Sequence, residues 1–439
     1  MRRRPRAEVS ALPRPPEAGV VSLLKLARDP LRAPLAYFDR LGDTFQLRLF
    51  GAEHVLTRDP AWFDEVQVKQ SRSFHKDKTT KGLGALMGQG LLVRDGPTWR
   101  DRRRLLSTPF VPAAIDAQLA IFVDEAEREL STWTAGSVVD LHAAMARLAM
   151  RTALRTMFGY APDAGENFEQ PMAAAMRYFE GILGTQTPLP TWVPTATNRA
   201  FVRARATLLS LVDKLLTTPA PEGSVLGVLL AAHRSGQLSR QDVVDEAMTM
   251  LVAGHETAAL SLTYLLAELG RAPDVQDAVA ADAMTFAGAP TRADLMRDGA
   301  VQRAVLEGLR LYPVAWATGR EVVEPVNVLG TQLTQGTQVY LYQWAMQRSE
   351  RVYPQAQTFW PDRFIERPVS TLPKGAFSPF GGGPRICIGY QFAMAEIATI
   401  LVCTLRRYRV QTVSPFPPRM RTSITARPRD PVLIRVAGR

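Results

Sequence analysis

The feature that most restricts how this chain can fold is one long apolar segment in its middle. Helical periodicity runs from Ser239 to Gly270, with Asp242 three residues after Ser239 as a capping signal and Pro273 just beyond the end. About 30 residues at roughly 1.5 Å each make a rod of roughly 45 Å, enough to cross a whole domain. Such a rod must be buried along much of its length, so the rest of the chain has to pack round it. The 439 residues, 46% of them hydrophobic, supply the material for a large core. No fixed-period repeat or Gly/Ser linker divides the sequence. Residues 30–439 therefore read as one body, and residues 1–29, basic and Pro-rich, as a loose arm.

Most of the remaining chain is also helical in pattern, as over residues 111–133. Thr/Val-rich extended pieces occur at residues 42–57, 327–342 and 421–436. The expected class is mainly α with small β-sheets (α+β). Nothing reaches about 18 uninterrupted apolar residues, and the segment after the basic opening is too short and too charged for a signal or anchor. The expectation is a soluble, cytoplasmic protein without a transmembrane anchor, membrane-peripheral only if its substrate is dissolved there. Two cysteines are too few for a disulfide framework or an ordinary zinc site. The net charge of +11 is spread out, with no basic run interleaved with aromatics, so nucleic acid is not an expected partner. A solvated Arg-rich surface or an acidic protein partner fits better, and "WRDRRR", Trp99 to Arg104, is the place to look for the latter.

Within the rod, "AGHET", Ala253 to Thr257, is out of character. Gly254 costs about 1 kcal/mol relative to Ala in a helix interior, and a polar triple in an apolar helix adds desolvation. One reading is structural: Gly254 permits close helix packing, and His255 and Glu256 pair with groups elsewhere. A zinc-hydrolase reading needs a second His where Ala259 stands, and fails. A third uses helix geometry. The Thr257 hydroxyl can compete for the Ala253 carbonyl one turn back and loosen the helix, giving a polar notch lined by Ala253, Gly254 and Thr257, towards which Glu256 could carry protons.

The second anomaly is "FSPFGGGPRICIG", residues 377–389. Past Cys387 an apolar helical pattern begins, so the cysteine sits just before or within a helix N-terminus, where N–H groups and the helix dipole favour thiolate. The glycines let the backbone turn tightly and approach a flat ligand, Pro384 stiffens the loop, and Arg385 adds a fixed positive charge. This combination suits a thiolate metal ligand for a cofactor that carries carboxylates. A nucleophilic cysteine is the rival, with no His near it in sequence. A phosphate loop fails for want of Gly-Lys-Ser/Thr, and "GLGALM", Gly82 to Met87, lacks the third glycine of a dinucleotide fingerprint. Cys403 reads as a small core residue.

At these residues the chain resembles the cytochrome P-450 haem-thiolate monooxygenases. The cysteine loop carries the family's fixed positions Phe380, Gly383, Arg385, Cys387 and Gly389, with Gly381 beside them. "AGHET" matches the oxygen-binding motif of the family's long central helix. Glu307 and Arg310 match Glu-x-x-Arg, Arg363 in "WPDRF" would complete that ion-pair network, and Trp99 with Arg103 match Trp-x-x-x-Arg. The resemblance spans about residue 30 to the C-terminus and implies the family's fold, a helical body with a long central helix and a smaller β-rich region. It implies haem b with Cys387 as the axial thiolate, a ligation that favours O–O cleavage. Arg103, Arg320 and Arg385 would pair with the haem propionates, assisted by Trp99. Ala253, Gly254, Phe380, Gly381 and Gly389 would line the cofactor, and Thr257 and Glu256 would deliver protons to bound O2. Glu307, Arg310 and Arg363 would be scaffold.

Soluble bacterial members often have His where Trp99 stands, which places the chain nearer the fatty-acid and microsomal-like branch. No electron-transfer domain is expected in the chain, so a ferredoxin or flavodoxin with an NAD(P)H-dependent reductase is implied, and Arg102 and Arg104 are candidate docking residues. The segments "KTTKGLGALMGQG", "FEGILGTQTPLP", "PVAWAT" and "SITA" are pocket candidates without a fixed charge that demands an ionic substrate. A large apolar substrate is expected, a carotenoid first, with a fatty acid or terpenoid as the alternative. A haem-thiolate peroxygenase or isomerase that does not activate O2, and a haem sensor without turnover, are the readings from other classes; Glu256–Thr257 argues against the former.

Overall fold

A computed structural model of the chain describes residues 12–17, 19–49, 51–163, 166–180, 190–286 and 288–439. The central helix runs Arg240–Leu269, and Ser239 caps it reciprocally with Asp242, as the sequence leads one to expect. It is apolar and long enough to cross a membrane, yet it is a core rod: Leu251, Leu260, Leu262 and Leu266 are fully buried. Two core clusters clothe it. Phe122, Phe158, Phe201 and Leu208 gather round its N-terminal half, and Leu148, Leu265, Ile400 and Leu405 round its C-terminal half. The helix Leu141–Phe158 packs along it. At the crossing, a Cβ on Gly254 would lie 2.8 Å from Met157 Cε, so the glycine does permit close packing.

The β-rich region is built on a five-stranded sheet in the order Thr44–Leu49, Ala52–Thr57, Gln338–Leu341, Thr318–Val322, Phe74–Lys76. Phe45, Leu47 and Leu49 point inward with period two, as strand geometry requires. All pairings are antiparallel except that of Ala52–Thr57 with Gln338–Leu341. The last pairing sets Lys76 opposite Arg320, two cations side by side. The three extended pieces expected from sequence all form strands. Phe74–Lys76 and Thr318–Val322 escaped notice because the first has only three residues and the second, "TGREV", carries a glycine and two charges, which have low β-propensity.

A short hairpin, Met420–Thr422 with Ala426–Pro428, folds over the central helix. Tyr264 donates its hydroxyl proton to the Ala426 carbonyl at 2.7 Å, Trp316 Nε1 donates to the Ser423 carbonyl at 3.1 Å, and the Ala426 N–H donates to Val314 at 3.0 Å.

The expected loose arm is in part built in. Arg14 pairs with Glu53 at 3.2 Å, Gln46 N–H donates to the Pro13 carbonyl at 2.9 Å, and Gly19–Arg28 is a helix that buries Leu26. An apolar residue facing the core is what holds it; residues 1–11 lie outside the described residues.

Glu307, Arg310 and Arg363 form the network the motifs imply. Arg310 Nε and Nη2 donate to the two Glu307 oxygens at 2.7 and 2.8 Å, and Arg363 Nε donates to Oε1 at 3.1 Å. Every other guanidinium nitrogen of the pair donates to a carbonyl of Gln347, Pro354, Gln355, Ala356 or Thr358.

Candidate functional site

The loop 380–389 is shaped by two left-handed residues, Gly381 at φ +73 and Gly383 at φ +62; at Gly383 a side chain would also overlap the Gln67 carbonyl. Phe380 anchors the start against the core, and its carbonyl accepts the Cys387 N–H at 2.9 Å. A short 3₁₀ turn, Gly383–Arg385, leads to Cys387, and helix Tyr390–Arg407 begins three residues later, after Gly389. The cysteine thus lies just before the helix. It is exposed, yet burial among protein atoms pushes its thiol pKa up, against the pull of the Gly389 N–H and the Arg103 charge. Both hold if the sulfur opens into a recess and not onto bulk solvent. Cys403, the other cysteine, is buried in the core.

Cations converge on this recess. Arg385 lies 3.8 Å over the Trp99 ring and pairs with Asp95 at 2.5 Å; Arg103 lies over the same ring at 5.9 Å. Burial lowers the Arg103, Arg320 and Arg385 pKa values, the last to about 10. Lys76, which the sequence reading missed, is driven well below the usual amine range by burial, with Arg320 and Arg385 pushing the same way. Among the described residues none of Lys76, Arg103 and Arg320 has an ion pair. Asp95 and Asp77 are the anions nearby, and Asp77 spends its oxygens on the Thr79 and Thr80 N–H groups and the Thr80 hydroxyl. Four cations, Arg320 buried and Lys76, Arg103 and Arg385 half-buried, facing so little negative charge fit a ligand with carboxylates, and the neighbouring exposed sulfur fits its metal.

On the central helix, Ala253 and Thr257 are exposed and Gly254 and Ser261 half-buried in an otherwise buried rod, so a slot opens along this stripe. The Thr257 hydroxyl donates to the Ala253 carbonyl at 2.8 Å, but the helix is not broken there. Glu256 is turned elsewhere: Arg427 Nε lies 2.9 Å from Oε1, and Thr425 Oγ1 donates to Oε2 at 3.0 Å. Burial raises its pKa. An open cleft of about 80 Å³ is lined by Leu83, Phe179, Trp316, Ala317 and Ile424, with Asp77, Thr80 and Tyr340 among its polar groups. The lining draws on all four pocket segments expected, "FEGILGTQTPLP" through Phe179; residues 181–189 of that segment lie outside the described residues.

Arg102 is not a docking residue. It is buried and pairs with Asp242 at 2.6 Å, because it leaves helix Gly96–Leu106 roughly 100° away from Arg103, towards the central helix. Arg100 and Arg104 are exposed.

A helical body round one buried rod, with a cysteine loop beside converging cations, defines a haem-thiolate protein. The cytochrome P-450 family matches residues 13–436, and the chain belongs to that family. It is 31% identical over 421 residues to cyclooctatin synthase of Streptomyces melanosporofaciens, covering 92% of this chain and 91% of that protein. Cyclooctat-9-en-7-ol 5-monooxygenase of the same organism is 29% identical, with 90% and 89% covered. Protein LUTEIN DEFICIENT 5, chloroplastic, of Arabidopsis thaliana is 26% identical, with 88% and 70% covered. The crystal structure of the cytochrome P450DA heme domain superposes with TM-score 0.86 at 26% identity, over 98% of each chain. The protein is an oxidoreductase that incorporates oxygen from O2, with haem b on a cysteine thiolate.

Proposed function

We propose that Cys387 is the axial thiolate, that Lys76, Arg103, Arg320 and Arg385 hold the two haem propionates, and that the enzyme hydroxylates a C–H bond of a cyclic terpenoid. The haem, when bound, would supply the activation of O2, one oxygen atom entering the C–H bond and the other leaving as water with two electrons and two protons. The observation that carries the site assignment is the group of cations beside Cys387, three of them without an anion partner among the described residues. Their desolvation is offset when carboxylates arrive, and planar guanidinium forks hold carboxylates well. Ala253 and Gly254 keep the helix wall of the slot bare, which suits a flat group. Thr257 supplies a hydroxyl there, and Glu256, its pKa raised by burial, stores a proton one residue away.

The substrate class is supported by the apolar wall of the cleft together with the relatives named for cyclooctatin and for a cyclic alkenol. Titration of the holoenzyme with cyclooctat-9-en-7-ol, β-carotene and dodecanoic acid, read as the spin-state shift of the Soret band, tests it. The cyclic alkenol should give the tightest response, and tightest binding of the fatty acid would overturn the class. A carotenoid is the second reading, favoured by the relative whose name carries lutein. Electrons would come from an acidic ferredoxin, fed by an NAD(P)H-dependent reductase, that docks on the exposed Arg100 and Arg104. Charge reversal at both should raise the KM for the ferredoxin; an unchanged KM removes this face.

A further inference from the structure

Glu256 and Thr257 are consecutive in an unbroken helix, so their side chains leave the axis roughly 100° apart and cannot both face the slot. Thr257 is exposed on it, whereas Glu256 is 7% exposed and faces the hairpin. Its direct partners among the described residues are Arg427, with Nε 2.9 Å from Oε1, and Thr425, whose hydroxyl donates at 3.0 Å. Both stand at the same hairpin whose turn residues Ser423 and Ile424 line the substrate cleft. The hairpin is fixed to the helix at a second point, by Tyr264 on the Ala426 carbonyl. On the other side of Glu256 stands His255, buried, with the Ala146 backbone beside its ring. Burial first, then the charges of His142 and Arg427, lower the His255 pKa to about 4, so it is a neutral neighbour and no competitor for the carboxylate. Glu180, the other charged group that acts on Glu256, repels it.

We infer that Arg427 and Thr425 are positioning residues: they hold the Glu256 carboxylate turned away from Thr257, and an occupant of the cleft that displaces Ile424 frees it to reach the slot. The carboxylate is held by the charge of Arg427 and by one hydrogen bond from Thr425, and a hairpin that both touches the ligand and holds the acid links occupancy to proton supply. The inference rests on the proton role proposed above for Glu256.

The test needs no substrate. Holoenzyme is supplied with O2 and with excess electrons from a ferredoxin and its NAD(P)H-dependent reductase, so that O2 leaves as peroxide or water and each takes up protons, and NAD(P)H consumption is timed. In the ligand-free wild type the acid is held and the consumption is slow. Arg427→Gln should speed it by roughly tenfold or more, a modest share of what a positioned acid contributes. Arg427→Lys, which keeps the charge, should stay close to wild type, and Ile424→Trp, which fills the corner of the cleft in place of a ligand, should move towards Arg427→Gln. In a Glu256→Gln background Arg427→Gln should add nothing. Amide hydrogen exchange of residues 420–428, a readout independent of turnover, should quicken in Glu256→Gln as it does in Arg427→Gln. Thr425→Val stands in if Arg427→Gln does not fold. A Glu256→Gln variant with the wild-type rate sinks the proton role itself. A slowed Glu256→Gln with Arg427→Gln at the wild-type rate, or equally effective in both backgrounds, overturns the grip alone.

Discussion

Two clusters of buried charge in this molecule make opposite statements. Around Glu307, one carboxylate meets two guanidinium groups, and the remaining guanidinium nitrogens reach backbone carbonyls, so every guanidinium nitrogen is used. Around Cys387, Lys76, Arg103, Arg320 and Arg385 face Asp95 and an Asp77 already occupied by backbone N–H groups. The first cluster is complete and therefore holds the fold. The second is incomplete and therefore points to a ligand. A buried charge tolerates neither solvent nor loneliness, so the difference in satisfaction separates scaffold from site more reliably than burial does.

The comparison can be broken most violently at the closed cluster. Arg310→Leu leaves Glu307 facing Arg363 alone in the core, and one-sided removal from a buried pair costs about 3–5 kcal/mol. Denaturant unfolding should show a loss of that size, or the variant should fail to accumulate; a loss under about 1 kcal/mol would place this cluster among exposed pairs.

The open cluster should behave in the reverse way. Arg320→Leu or Lys76→Met relieves repulsion, so the haem-free protein should be as stable as wild type or more so. Haem transfer to an apo-globin acceptor should be roughly 10- to 100-fold faster, the scale of supporting-residue losses in metal sites. Reduced apo-stability with unchanged haem retention would make these cations scaffold.

A third cluster lies between the two and sharpens the contrast through pH. Glu246 accepts the Leu91 N–H at 2.8 Å and has Arg102 Nε at 3.8 Å, but among the described residues its Oε1 and Arg102 Nη1 lack hydrogen-bond partners. Burial lifts its pKa to about 7, against Leu91, Arg102 and Arg94. Because the folded carboxyl is the weaker acid, the folded state binds more protons between about pH 4.5 and 7. Stability should then fall as pH rises through that window, by at most about 1.4 kcal/mol per unit. His255, its folded pKa lowered to about 4, contributes the opposite slope between about 4 and 6.5. Chemical unfolding across pH 4.5 to 7 should fall less steeply in Glu246→Gln and more steeply in His255→Asn, relative to wild type; parallel curves for all three would refute both assignments.

The smallest effect belongs to the control. Asp277 pairs with Arg409 at 2.7 Å with both side chains well exposed. Asp277→Asn should change stability by less than about 1 kcal/mol, measurable as a small shift in Tm.

The parts of this site that were legible in the sequence are local ones. The central helix declared both ends through Ser239, Asp242 and Pro273, and the cysteine loop declared its turns through glycines that the backbone indeed holds at positive φ. Lys76 was illegible because a lone lysine in "FHKDK" means nothing until strand register sets it opposite Arg320. The partner of Glu256 was hidden for the same reason, since Arg427 reaches it only through the hairpin's docking. Arg102 could have been read better: Trp99 and Arg103 share a helix face at i, i+4, which turns Arg102 away from it. Residues 1–29 read as a loose arm on composition, whereas in its described part the buried Leu26 and the Arg14–Glu53 pair decide its place.

The claim on which the rest depends is that Cys387 is the thiolate of a haem held by the open cluster. The direct measurement is the absorption spectrum of the reduced, carbon monoxide-treated holoprotein, wild type against Cys387→Ser, with Cys403→Ser as the matched control. A strongly red-shifted Soret band in wild type and Cys403→Ser that disappears in Cys387→Ser is the result expected. The same band surviving in Cys387→Ser, or absent from well-folded, haem-supplemented wild type, would contradict the account.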